Sequence, residues 1–137
     1  MPIINWVAVM AAWIAGWLVQ GIWYMIFAGP WMRALGWTNA DMQSAGGRRR
    51  MPVGPMITSF VAELIMALML AGIIGHMGSP TITIGLVSGA LVWLGFVVTT
   101  ISVNYAFQRR SVVLIVIDTA AWLAVLLAQG AVLGIFG

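Results

Sequence analysis

The chain has no cysteine and no lysine, and its 137 residues include only three acids and one histidine. The lack of cysteine excludes disulfides, thiolate catalysis and thiolate metal sites. A lone imidazole without carboxylate ligands at matching depth is a poor metal site, so neither a metal nor another cofactor is expected, and His76 reads as an exposed residue. Serine, histidine and aspartate all occur, yet His76 and Asp118 would fall in opposite halves of a bilayer. A hydrolase triad is therefore not credible, and the chain is not expected to be an enzyme. Charge is scarce as well: charged residues are 7% of the chain, against about 25% in soluble globular domains.

Apolar residues dominate what remains. They make up 63% of the sequence, and the mean hydropathy is +1.07, which marks an integral membrane protein. The sequence pI of about 10.7 rests on six arginines, too few to build a basic nucleic-acid face. The expected partner is the lipid bilayer, and nucleic acid is not expected.

Four apolar stretches, roughly 3–28, 54–77, 82–107 and 112–136, can each cross a hydrocarbon core, which takes about 20 helical residues. The expected fold is all-α, a single integral-membrane bundle of four transmembrane helices. The first stretch is too long for a signal-peptide core and has no basic segment before it, so it is read as a retained helix. All six arginines fall between the first and second stretches (Arg33, Arg48, Arg49, Arg50) or between the third and fourth (Arg109, Arg110). By the positive-inside rule the loops 29–53 and 108–111 are cytoplasmic and both termini face outward. Arg48, Arg49, Arg50, Arg109 and Arg110 are then placed to meet lipid headgroups.

The connections add detail. Gly78-Ser79-Pro80 and Gln108-Arg109-Arg110-Ser111 are short turns that make their flanking helices antiparallel neighbours. In the long connection, Pro30 opens a short helix closed by Gly36. Thr38-Asn39-Ala40-Asp41 has the spacing of a capping box for a further turn or two ending at Gly46-Gly47. Trp31 and Trp37 beside Arg33 suit an interfacial segment.

Helical spacing assigns faces. Trp6, Trp13, Trp17, Gln20 and Tyr24 form one stripe of the first helix, and Ala8, Ala12 and Gly16 another. The second helix groups Ser59, Glu63 and Ala67. The third aligns Gly85, Gly89 and Trp93, then Phe96, Thr100 and Asn104. The fourth carries Asp118, Trp122, Val125 and Gln129. Small-residue stripes favour close helix approach, and polar faces are expected to meet neighbouring helices.

Glu63 and Asp118 are the candidate functional residues. A carboxylate at mid-bilayer costs roughly 2.5–3.5 kcal/mol on insertion scales, so each needs a proton, a cation, hydration or hydrogen-bonding partners. Counted in from the cytoplasmic helix ends, Gln20, Glu63, Thr100 and Asp118 lie about 10–14 Å deep, which predicts one polar layer. Tyr24 and Asn104, about 5–6 Å deep by the same count, would lead to it from the cytoplasm. The expected ligand or ion site is thus Glu63, Asp118, Gln20, Tyr24, Thr100, Asn104 and Trp122.

Gly21-Ile22-Trp23-Tyr24, Gly29-Pro30-Trp31-Met32, Trp93-Leu94-Gly95-Phe96, Asn104-Tyr105 and the Asp118 helix together resemble a bacterial family called domain of unknown function 1761. The resemblance spans nearly the whole chain. It implies a small four-helix protein of the bacterial cytoplasmic membrane and brings no activity with it. The family pattern often has a Tyr-His pair where this chain has Ala121-Trp122, so a role needing histidine beside Asp118 does not carry over. Two function classes follow from the residues. One is a homo-oligomeric channel or transporter for a proton, cation or small cationic solute, oligomeric because four helices alone enclose little space. The other is a non-catalytic membrane subunit, assembly factor, or lipid- or pigment-binding scaffold that packs through its Trp and Gly stripes.

Overall fold

The computed structural model describes residues 4–44 and 53–136, and all regular structure among them is helical. Four helices are long and apolar enough to span a membrane: α1 (Trp6–Ile26), α4 (Val53–His76), a continuous rod over Ile82–Phe107, and α7 (Val112–Phe136). The rod comprises α5 (Ile82–Val92), a π-helical segment (Trp93–Val98) and α6 (Thr99–Phe107). Two short helices, α2 (Ala28–Ala34) and α3 (Asn39–Ser44), lie in the long connection. Gly46-Gly47 and Arg48, Arg49 and Arg50 lie outside the described residues.

Local chemistry sets the helix ends. The Asn5 side chain accepts from the Ala8 N–H at 3.2 Å, starting α1, while its amide nitrogen donates to the Phe136 carbonyl at 2.7 Å and joins the first helix to the end of the last. α1 stops at Ile26 and the chain re-enters a helix at Ala28. Pro30 sits in the first turn of α2, where an N–H is not needed. Gly36, at φ +86, closes that helix, with its own N–H on Arg33 O at 2.9 Å and the Trp37 N–H on Met32 O at 3.1 Å. The capping box then forms reciprocally: Thr38 N–H donates to Asp41 Oδ2 at 2.8 Å, and Asp41 N–H to Thr38 Oγ1 at 3.1 Å. Those bonds, the backbone one first, hold the exposed Asp41 carboxyl below the usual carboxylate range.

The turn after α6 has the same paired geometry as the one after α2. Arg110 N–H reaches Tyr105 O at 2.9 Å and Arg109 N–H reaches Ala106 O at 3.1 Å, the bond pair of a Schellman cap. Here the left-handed position belongs to Arg109, at φ 55, and not to a glycine.

α7 is the central helix, packed most extensively against α5 and α1, with α4 resting on α1 and α7. The α5–α7 contact is backbone on backbone. A Cβ added at Gly85 would collide with the Gly130 carbonyl, one at Gly89 would stand 2.7 Å from the Leu126 oxygen, and one at Gly134 would collide with the Thr81 carbonyl. These contacts recur every four residues on both helices, the spacing of a small-residue seam in antiparallel register. On α1 the small stripe, Ala8, Ala12 and Gly16, is the buried one. The tryptophan stripe is not: Trp6 is 60% exposed and Trp17 is 36% exposed. Trp13 packs on Phe60 of α4 with ring centroids 4.3 Å apart and donates its indole N–H to the Phe60 carbonyl at 2.7 Å.

The π-helical segment changes the face of the third span. A π turn takes an extra residue without a matching advance in phase. Up to Trp93 the residues turned to α7 follow the expected series, with Gly85, Ser88 and Gly89 buried. Beyond it the half-buried positions are Val97, Val98, Ile101, Ser102 and Tyr105, while Phe96, Thr100 and Asn104 are exposed. The face expected to continue through Phe96, Thr100 and Asn104 is displaced by one residue.

Candidate polar site

Asp118 lies on α7, six residues from its start, and is buried among three helices. Tyr24 near the end of α1 donates its hydroxyl to Oδ1 at 2.5 Å, and Tyr105 on α6 donates its hydroxyl to Oδ2 at 2.6 Å. The neighbouring backbone is held from the same two sides. Trp23 donates its indole N–H to the Ile117 carbonyl at 3.2 Å, and Trp93 donates to the Thr119 carbonyl at 2.7 Å. Each flanking span therefore supplies one phenol to the carboxyl group and one indole to a carbonyl beside it. Trp31 of α2 stands edge-on to Tyr24, with ring centroids 6.1 Å apart.

Gln20, one turn before Tyr24 on α1, accepts a hydrogen bond from the Ser59 hydroxyl of α4 at 2.5 Å. Glu63, one turn beyond Ser59, is completely buried. Gln129 of α7, equally buried, donates its amide N–H to the Glu63 backbone carbonyl at 3.0 Å. Gly16 of α1 gives that amide room, since a Cβ there would stand 2.7 Å from Nε2. Both Glu63 carboxyl oxygens and the Gln129 amide oxygen have no hydrogen-bond partner among the described residues.

The expected single layer thus separates into levels. Asp118 and Gln129 are eleven residues apart on α7, about 16 Å along the axis. Asp118 meets Tyr24, and Gln129 meets Gly16 and residue 63. Depth counted from helix ends assumes that the ends are level, and they are not: Asp118, six residues into α7, faces Tyr24, only two residues from the end of α1. Thr100 and Asn104 are exposed on α6 and take no part in the contacts at Asp118. Trp122 is half-buried, one turn beyond Asp118 on α7. Arg109 and Arg110 are exposed in the turn between α6 and α7.

Tyr105, Ser59 and Gln129 are the site residues that sequence reasoning did not place there. Ser59 and Gln129 were visible on the faces of Glu63 and Asp118. Tyr105 was hidden by the change of phase in the π turn.

Four apolar helices around an interior chain of polar side chains define a multi-pass helical membrane protein. The profile of the family described as "Protein of unknown function (DUF1761)" matches residues 7–134, and the chain belongs to that family. No curated protein and no solved structure matches the chain.

Proposed function

We propose that this chain is a small membrane channel or transporter for a proton or small cation, and that the path runs along the interface of α1, α4 and α7. What supports the reading is a row of polar side chains that enters a largely apolar bundle. Asp118 bonds to Tyr24, Gln20 to Ser59, and Gln129 to residue 63. Tyr24 and Gln20 are four residues apart on α1, and Ser59 and Glu63 are four apart on α4, so each pair shares a helix face. The row starts near one end of the bundle and stops in its core.

In this reading loops 29–53 and 108–111 lie in the cytoplasm, their arginines meet lipid headgroups, and the membrane is the bacterial cytoplasmic one. Copies of the chain associate to complete the passage. The protein carries out no covalent chemistry.

The test is flux of protons and monovalent cations in proteoliposomes. Glu63→Gln and Asp118→Asn keep side-chain shape and hydrogen-bonding capacity while removing the titrating group. Wild type is expected to conduct, and each variant to lose flux or its dependence on pH. Equal flux by all three proteins across the mildly acidic to mildly basic range would overturn the reading.

A further inference from the structure

The centre of the bundle holds three buried acceptors and no donor to match them. Glu63 Oε1 and Oε2 and Gln129 Oε1 all lack a hydrogen-bond partner, while Gln129 Nε2 is already committed to the Glu63 backbone carbonyl. That bond holds the glutamine amide against the backbone of residue 63, whose own side chain carries the other two orphaned oxygens. An unmet buried acceptor carries the full desolvation penalty of its group, and an ionised carboxylate carries far more.

No basic side chain among the described residues relieves it. Tyr24 on α1, Tyr105 on α6 and Asp118 on α7 are bonded to one another at a different level. His76, the other titratable residue of α4, is thirteen residues from Glu63, about 20 Å along the helix, with Nδ1 against the Gly72 carbonyl. Arg33, Arg109 and Arg110 stand outside the four spans. A hard metal ion asks for about six oxygen ligands. Among the described residues there is no group of three or more His, Cys, Asp or Glu that could hold a metal.

We propose that Glu63 and Gln129 form a proton-binding site, in which the protonated carboxyl group of Glu63 donates to Oε1 of Gln129. One proton removes the buried charge and turns one of the three acceptors into the donor that another requires. The bond links α4 to α7 across the glycine face of α1. In naming the proton as the cargo this rests on the transport reading; as a binding site it does not.

Glu63 is the sole glutamate in the chain, so isotope labelling addresses it without mutation. Protein made by cell-free synthesis with carboxyl-¹³C glutamate is reconstituted in lipid and read by infrared spectroscopy at neutral pH. The isotope-shifted band is expected at the position of a protonated carboxylic acid. A shifted band at the carboxylate position would overturn the proposal. In Gln129→Leu the acid band is expected to move as its acceptor is lost, and an unmoved band would refute Gln129 as partner. An acid band without proton flux would sink the transport reading alone, whereas a carboxylate band with flux would sink this proposal alone.

Discussion

Tyr105 donates its hydroxyl to Oδ2 of Asp118 at 2.6 Å, although the helical period read from Gly85, Gly89 and Trp93 points Asn104 toward α7 in its place. The π-helical segment Trp93–Val98 lies between the two readings. It moves the inward face on by one residue, and its own first residue, Trp93, is anchored to the Thr119 carbonyl. One backbone irregularity therefore decides which side chain reaches the buried acid, in keeping with the frequent placing of π turns at functional sites.

Neighbouring substitutions separate the two registers. Tyr105→Phe removes a hydrogen bond to a carboxyl group and is expected to lower stability by about 0.5–3 kcal/mol, the span from neutral hydrogen bonds to those of charged groups. Asn104→Ala, at an exposed position, is expected to stay within about 0.5 kcal/mol of wild type. Reversible unfolding in mixed micelles reads both values, and a larger loss for Asn104→Ala would show the face to be undisplaced.

The contrast shows what could be read from residues alone. Four spans, the capping box at Thr38 and the α5 glycines were legible because each depends on composition or on spacing within one regular helix. The partners of Asp118 were not, because they depend on a change of helical phase that no residue type announces. Neither was the separation of Asp118 from Glu63, since helix stagger follows from packing along the whole seam. Ala8, Ala12 and Gly16 were recognisable as a small stripe, but their precedence over the tryptophans follows from how closely α7 approaches α1.

The glycine seam makes a second prediction. Gly85→Ala and Gly130→Ala each force a methyl group into the facing backbone, which has no rotamer by which to yield. Each is expected to cost at least about 1–3 kcal/mol, the usual range for overpacking. Gly72→Ala, within α4 and with open space around its added Cβ, is expected to stabilise by about 0.5–1 kcal/mol through helix propensity. Melting temperatures of the three variants test the ordering, and a neutral Gly85→Ala would mean that α5 and α7 do not touch as described.

Arg109 occupies a left-handed position at φ 55, where a residue with a Cβ is strained by about 1–2 kcal/mol. Arg109→Gly should therefore raise stability, offset in part by the greater freedom of glycine in the unfolded chain. A net gain of about 0.5–1 kcal/mol is expected, and a net loss would indicate that the Arg109 side chain makes a compensating contact.

Membrane orientation is open to direct test because the natural chain has no cysteine. Ser79 and Gln108 are both exposed, in turns at opposite ends of the third span. If the arginine-bearing loops are cytoplasmic, an impermeant thiol reagent applied to intact cells labels Ser79→Cys and spares Gln108→Cys until the membrane is opened. The reverse pattern would invert the topology.

The two buried acids should respond to different extents to loss of polarity. Both oxygens of Asp118 are met by phenols from two different spans, so Asp118→Leu strands the hydroxyls of Tyr24 and Tyr105 in a part-buried place. At about 1–3 kcal/mol for each polar group left unmet, a loss of about 2 kcal/mol or more is expected. The Glu63 carboxyl oxygens accept no hydrogen bond from any described residue, and Glu63→Met keeps the volume of the site while removing both of them. Its stability should lie within about 1 kcal/mol of wild type, on either side, because the gain in apolar packing is set against the Gln129 oxygen left alone. Parallel unfolding curves decide the matter. A Glu63→Met loss as large as that of Asp118→Leu would show that the core glutamate is held by stronger contacts than a single proton can provide.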